Sequence, residues 1–295
     1  MKTVSIVIPT FNRASLLHRA IESSIGQTYP CEVVVCDHGS TDNTPEVVAG
    51  YKDKVRYIRR QEDKGPIVCW RDGVEQATGE IIHINYDDDW VDPKFIEKAV
   101  HWMHDDVGFV YSNAMIHYED KEETCTSFKH PPNIGDTRDI IRYLLAVPGP
   151  ISPGCAIFRR QDVLKNLLPE IPGASGIYGK NSGVGEDLLL FLLTALDYPK
   201  YAYIPESLAH FWAHSGSITI ASGISGRGQM LLDAYANAKK YFLEYSGLPP
   251  ATRWEELSHF FRWNYKSHTL AKQIRRRIKK FLRSPMENLF KKNKK

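Results

Sequence analysis

The stretch Glu80-Ile81-Ile82-His83-Ile84-Asn85-Tyr86-Asp87-Asp88-Asp89-Trp90 joins a short apolar run to three consecutive carboxylates. Ile81–Ile84 has the length and composition of a buried strand, so the acidic triplet directly follows a strand end. Four similar runs flank it in the N-terminal part of the chain: Val4–Ile8, Glu32–Cys36, Val55–Ile58 and Val107–Tyr111. Between them, Ser15–Ile25, Thr44–Tyr51, Ile67–Ala77 and Pro93–Met103 carry helical periodicity. Strand and helix in strict alternation predict an α/β fold, a right-handedly wound, mostly parallel sheet with helices on both faces. Such sheets bind ligands beyond the carboxyl ends of their strands. Three loops then share one rim: Pro9-Thr10-Phe11-Asn12-Arg13, Asp37-His38-Gly39-Ser40 and Asp87-Asp88-Asp89.

Two readings of the acidic triplet are open. Adjacent carboxylates repel one another unless a cation neutralises them, and hard ions such as Mg²⁺ or Mn²⁺ reach a protein through one or two carboxylates while holding substrate phosphates. Alternatively, the triplet is a solvated turn capping the helix after Pro93, since Asp is favourable at a helix N-terminus.

The rest of the chain sets limits. Its 295 residues and 42% hydrophobic content suit a globular protein of one large or two modest domains. The longest apolar stretch, Leu188–Leu196, is interrupted by Thr194 and far short of the roughly 20 residues of a bilayer span. Val4–Ile8 stops at Pro9, too short for a secretory leader, so a cytoplasmic protein is expected. Five cysteines without a CxxC pair suggest neither a disulfide framework nor a zinc knuckle, and are expected to be reduced, buried and small. From about Tyr118 to Gly185 the pattern loosens, and Ile171 to Gly185 holds five glycines. Beyond it a helix at Glu186–Leu196, strands at Tyr201–Ile204 and Leu208–His214, and helices at Gln229–Tyr245, Arg253–Tyr265 and Ser267–Arg283 are predicted. A core domain over 1–222, with halves 1–115 and 116–222, is followed by a helical extension over 223–295. Residues 253–295 hold 14 Lys/Arg against 3 Glu, a net of +11; the 24 basic and 32 acidic residues before them give −8.

The order of these motifs resembles the nucleotide-sugar glycosyltransferases of the inverting family 2, which have the GT-A fold. Val4 to Arg13 is similar to that family's first strand and loop, and Asp37-His38-Gly39-Ser40-Thr41-Asp42 to its second. Ala77-Thr78-Gly79-Glu80-Ile81-Ile82 leading into Asp87-Asp88-Asp89-Trp90 resembles the approach to its metal motif, and Gly185-Glu186-Asp187 its catalytic acidic pair. The likeness covers about residues 3 to 215.

Roles then follow position by position, as what the resemblance implies. Asp37 contacts the nucleotide base, Pro9, Thr10, Asn12 and Arg13 line the nucleotide pocket, and Asp87 lies near the ribose. Asp88 binds Mn²⁺ or Mg²⁺ under the diphosphate, with Asp89 as a further candidate, and the choice between Asp87 and Asp88 stays open. Asp187 is the base that deprotonates the acceptor hydroxyl; an inverting displacement needs that base away from the metal, and an acid from a distant segment satisfies this. Glu186 accompanies it on the donor-sugar or acceptor side. His214, in His214-Ser215-Gly216-Ser217, approaches the metal or diphosphate, and Arg71 contacts the nucleotide or diphosphate unless it is a plain surface arginine. Trp90 stacks on the donor sugar or closes the core. The chain departs from the common family pattern at His38, Tyr86 and Trp212, where many members carry an acid, an Asp and an Arg.

The expected activity is metal-dependent inverting transfer from a nucleotide-sugar donor, favouring UDP, to a glycan or lipid-linked acceptor in bacterial surface polysaccharide or lipooligosaccharide synthesis. The tail's Leu270, Ile274, Ile278, Phe281 and Leu282 form an apolar stripe beside seven Lys/Arg. It is read as a peripheral contact with an anionic membrane at its cytoplasmic face, in preference to plain packing; nucleic acid is not an expected partner, for want of a basic groove. The rivals are a nucleotidyltransferase, which would want glycines and Lys/Arg after its first strand, and a non-catalytic sugar-nucleotide binding module.

Overall fold

The computed structural model describes residues 1–118, 122–125, 134–146, 151–174, 182–217 and 228–249. The first half follows the expected alternation: β1 (Val4–Thr10), α1 (Ala14–Ile25), β2 (Glu32–Asp37), α2 (Thr44–Ala49), β3 (Arg56–Arg59), α3 (Pro66–Gln76) and β4 (Ile81–Ile84). A two-residue β5 (Trp90–Val91), α4 (Phe95–Trp102) and β6 (Val107–His117) come next. The loose region contains β7 (Glu122–Cys125), β8 (Ile134–Asp136), α5 (Thr137–Ala146), a 3-10 turn at Pro153–Cys155, β9 (Ala156–Arg159) and α6 (Arg160–Asn166). α7 (Glu186–Asp197), β10 (Lys200–Trp212) and α8 (Gly228–Ser246) follow.

The main sheet runs β3-β2-β1-β4-β9-β6-β10-β5, with β7 on β6 and β8 on β10. β1, β2, β3 and β4 are mutually parallel, as are β6 and β10. β9 lies between β4 and β6 and is antiparallel to both, so the sheet is parallel in blocks and not throughout. Strict alternation hides this, because β9 comes from the region without periodic signal. The two strands expected at Tyr201–Ile204 and Leu208–His214 are one strand: β10 keeps its pairing with β6 across register shifts that bracket Pro205 and Glu206. Proline donates no ladder hydrogen bond and is tolerated at such irregularities.

Every residue of β1 is buried, which a continuous apolar strand achieves only when both sheet faces are covered. α3 covers one side so closely that a Cβ on Gly73 would lie 2.4 Å from Val7 Cγ1. At the other end of the molecule Gly185 (φ +95°) turns the chain into α7, and a Cβ there would stand 3.0 Å from the Ala234 carbonyl of α8. That close approach seats α8 on α7 and brings part of the C-terminal extension against the body. Lys239 Nζ adds a hydrogen bond to the Leu145 carbonyl at 2.9 Å. Among the described residues no helix is long and apolar enough to cross a membrane. The helices expected at Arg253–Tyr265 and Ser267–Arg283, and with them the basic stripe, lie outside the described residues.

Candidate active site

The carboxyl ends of β1, β2 and β4 open on a cleft of about 580 Å³. Pro9, Thr10 and Arg13 from the first loop, His38 from the second, and Asp87 and Asp88 from the third line it, with Trp70 of α3, Asp187 of α7 and Tyr235 of α8.

Asp89 N donates to Tyr86 O at 3.1 Å, closing a turn in which the three carboxylates make different contacts. Asp87 faces the Thr10 hydroxyl and the Phe11 amide; burial, aided by the Asp88 charge, pushes its carboxyl up to about 7 against the pull of Arg13. Asp88 Oδ2 meets His214 Nε2 at 3.1 Å and Arg13 Nη1 at 3.3 Å. Asp89 is buried and accepts a hydrogen bond from Trp212 N at 2.9 Å, which pins the end of β10 to the turn. Desolvation also raises its carboxyl strongly. Asp88 thus lies beside the histidine, Asp87 beside Thr10 and Phe11 at the end of β1, and Asp89 is bonded to the backbone of β10.

His214 and Arg13 complete this group. Gly216 N donates to His214 Nδ1 at 3.2 Å, which leaves the ring proton on Nε2, toward Asp88. Arg13 bridges the group to the Gly216 carbonyl at 3.0 Å and lies 3.3 Å from His214 Nε2. An oxygen and a nitrogen 3.1 Å apart also fit the edge of an octahedral shell, where adjacent ligands at about 2.1 Å from the ion stand roughly 3 Å apart. The donor set thus suits a hard divalent cation, with Arg13 as the positive charge beside the carboxylate in this state.

Asp187 is the acid that α7 brings to the cleft. Being in the first turn of α7, its Oδ1 accepts from Gly185 N at 2.8 Å and from Leu188 N at 2.7 Å, while Oδ2 takes the Tyr235 hydroxyl at 3.3 Å. Burial nevertheless outweighs these donors and pushes the carboxyl up to about 7, a value suited to a general base.

Other expected site residues are placed elsewhere. Asp37 is fully buried, accepting from the Tyr57 hydroxyl at 2.5 Å and the Ser40 amide at 2.8 Å, and does not line the cleft. Asn12 (φ +54°) is exposed and clamps two loops: its Oδ1 accepts from Thr41 N at 2.8 Å and its backbone N–H donates to Ser40 Oγ at 2.9 Å. Arg71 turns from the cleft and donates to the carbonyls of Leu164 and Leu167 at 2.8 and 2.7 Å, which ties α3 to the end of α6. Glu186 is fully buried, with Ser182 N 3.3 Å from its carboxylate, and lies outside the cleft lining. Trp90 stacks on His210 (5.2 Å, 5°) with Arg19 Cζ 3.7 Å from its ring centre, and so closes a stack behind the acidic turn.

Sequence reasoning missed Arg19, Trp70 and Tyr235. Arg19 Nη2 donates to the Asp88 carbonyl at 2.9 Å, and Trp70 packs on Tyr86 with ring centres 5.1 Å apart. Arg19 sits two turns into α1 and Tyr235 on a helix correctly anticipated, but docking against a distant loop leaves no periodic mark.

Comparison with known proteins identifies the family. The sequence profile of Glycosyl transferase family 2 matches residues 5–167, more than half of the chain. The chain is 33% identical over 139 residues to the Escherichia coli UDP-Glc:alpha-D-GlcNAc-diphosphoundecaprenol beta-1,3-glucosyltransferase WfaP, covering 45% of this chain and 54% of that protein. It is 32% identical over 124 residues to the GalNAc(5)-diNAcBac-PP-undecaprenol beta-1,3-glucosyltransferase of Campylobacter jejuni, covering 40% of each. The chain thus matches about half or less of the length of these relatives. The structure of Staphylococcus aureus TarS 1-349 in complex with UDP is similar in fold (TM-score 0.58, 18% identity, 83% of this chain and 70% of that one). So is that of the Pyrobaculum calidifontis mannosyltransferase PcManGT in complex with GDP-Man and Mn²⁺ (TM-score 0.54, 20% identity, 92% and 78%). With its parallel block, its acidic turn after β4 and its match to the family profile, the chain belongs to glycosyl transferase family 2.

Proposed function

We propose that this protein transfers a sugar from a nucleotide diphosphate, a UDP-sugar by preference, to a hydroxyl of a lipid-linked saccharide, with inversion at the anomeric carbon. The observation that carries the reading is the presence of two separate centres at one cleft: Asp88 and Arg13 in its lining, with His214 3.1 Å from Asp88, and Asp187 with its raised carboxyl. Asp88 and His214 would hold Mn²⁺ or Mg²⁺, which supplies charge neutralisation for the departing diphosphate. For Nε2 to face a cation, His214 would adopt the tautomer with its proton on Nδ1 and give up the Gly216 amide contact there, and Arg13 would be free to meet the phosphates. Asp187 Oδ2 accepts the proton of the attacking hydroxyl, while the Gly185 and Leu188 amides fix the carboxylate. The relatives' named acceptors, diphosphoundecaprenol-linked saccharides, and the UDP in the TarS structure support the substrate classes. The basic segment 253–295 would bring the cleft to an anionic membrane surface where such acceptors reside.

The test is transfer from a panel of UDP-sugars and GDP-mannose to undecaprenyl-diphosphate-linked saccharides, with the linkage read by NMR. The expected result is a β-linked product from one α-configured donor, abolished by EDTA. A product of retained configuration, or no transfer from any donor across the panel, would overturn the reading. For the tail, the full chain should sediment with phosphatidylglycerol vesicles and a chain ending at residue 252 should not; equal sedimentation contradicts the membrane role.

A further inference from the structure

A second cluster borders the cleft, with His38 and Cys69 in its lining and Cys36 outside it. Cys36 at the end of β2, His38 in the loop after it and Cys69 on α3 are all buried, and one sulfur or ring nitrogen from each stands within 4.8 Å of the other two. This is distinct from a zinc knuckle: the ligands come from two elements far apart in sequence, so no spacing announces them.

The hydrogen bonds single out one nitrogen. His38 Nε2 is 3.2 Å from Asp72 Oδ2, and Asp72 is held in turn by Arg60 Nε at 2.8 Å. With Nε2–H donating to that carboxylate, the lone pair is on Nδ1, which is buried and makes no hydrogen bond among the described residues. A carboxylate behind the distal nitrogen is the arrangement that orients metal-bound histidines and raises their basicity. Asp63 Oδ1 lies 4.0 Å from Nδ1 and is partly exposed at the cleft, in position to give a fourth ligand.

We propose that Cys36, Cys69 and His38 Nδ1 bind a thiophilic divalent cation of the zinc type, closed by Asp63 or a water. Two thiolates and an imidazole are a donor set that selects such ions over Mg²⁺ or Mn²⁺. Two sulfurs each about 2.3 Å from one tetrahedral ion stand roughly 3.8 Å apart, so the cluster need close by only about 1 Å. Binding releases the thiol protons without any redox step. No element of the proposed transfer uses these residues, so the site stands or falls separately from it.

The probe is Co²⁺ added to the reduced, metal-free full chain. A tetrahedral thiolate site gives near-ultraviolet sulfur-to-cobalt charge-transfer absorption together with intense visible bands; the oxygen and nitrogen ligands at Asp88 and His214 cannot give the former. The expected result is one such site per chain, bleached by stoichiometric Zn²⁺ but not by excess Mg²⁺, retained in Asp88→Asn and lost in Cys69→Ser. If Cys69→Ser does not fold by circular dichroism, His38→Gln serves in its place, with cobalt affinity reduced at least about tenfold. Absence of the charge-transfer band from the folded wild-type chain overturns the proposal. So does a band that survives both Cys36→Ser and Cys69→Ser, which would place it on other cysteines.

Discussion

The Tyr235 hydroxyl, carried on α8, donates to Asp187 Oδ2 at 3.3 Å. The carboxylate at the mouth of α7 is therefore completed by a helix that starts more than 40 residues later, and the close packing at Gly185 makes that reach possible. Asp187 sits well above the ordinary carboxyl value because burial outweighs its hydrogen bonds.

The pH dependence follows from that shift. Asp187 acts as a base only when ionised, so the transfer rate should rise through pH about 7 and level off above it. For stability the sign is opposite: between about pH 4 and 7 the folded carboxyl holds a proton that the unfolded one has lost, so its contribution is present at low pH and lost as pH rises through about 7. Removing the Tyr235 donor with Tyr235→Phe should push the rate inflection higher by about half to one unit. Asp187→Asn should lower kcat by about 10² to 10⁴ while leaving nucleotide affinity intact. A pH–rate profile on these three proteins checks it; an unmoved inflection in Tyr235→Phe would show that the helix contact does not tune the base.

At the acidic turn, only Asp88 should be indispensable for cation binding. Asp88→Asn should lower transfer by at least about a hundredfold with Mn²⁺ affinity reduced in parallel. Asp89→Ala should instead lose about 1–3 kcal/mol of stability, since it leaves the Trp212 amide without its acceptor inside the protein. Mn²⁺ titration by electron paramagnetic resonance and chemical denaturation separate the two effects, and equal loss of metal from both variants would contradict the assignment.

Two residues that resemble family contacts should behave as structural ones. Arg71→Ala removes both donors to the end of α6 and should cost about 1–3 kcal/mol with donor KM unchanged. Trp90→Leu removes the surface between Arg19 and His210, with a similar penalty of about 1 kcal/mol or more and again no change in KM. A severalfold rise in donor KM in either variant, with stability unaltered, would return that residue to the substrate.

His83 gives the fold an acid-sensitive point. Its ring is fully buried on β4, with Nδ1 2.9 Å from the Ala156 carbonyl of β9, and burial lowers its pKa to about 4. Between about pH 6.5 and 4 the unfolded ring takes up a proton that the folded one refuses, so stability falls as pH drops through that window, by up to about 3 kcal/mol from this group. Imidazole NMR should show His83 neutral down to about pH 4; titration near 6.5 in the folded protein would contradict the burial argument.

The parallel block was legible because β1, β2 and β4 are largely apolar runs separated by amphipathic segments, and burial on both faces demands that pattern, whereas β3 at the sheet edge is bracketed by arginines. β9 was not, because four residues in a region without period carry too little signal, and its place between β4 and β6 is decided by long-range pairing. The same division holds in the site. Asp88 stands out because it follows a strand end, while His214 and Asp187 were singled out by the resemblance to family 2. Asp37, Arg71 and Glu186 occupy equally suggestive positions, yet their side chains are taken up by partners, such as Tyr57 and Leu164, that no local pattern reveals. The Cys36, His38 and Cys69 cluster joins β2 to α3 and becomes visible only after folding.

In the proposed transfer this cleft binds a nucleotide diphosphate through a cation at Asp88, with Asp187 reserved for the proton. The most direct test is calorimetric titration of UDP into the full chain with Mn²⁺ and with EDTA, repeated on Asp88→Asn and Asp187→Asn. Binding should require Mn²⁺, vanish in Asp88→Asn and persist in Asp187→Asn. UDP binding that is equally strong in EDTA and in Asp88→Asn, or that fails in Asp187→Asn alone, would contradict this division of roles.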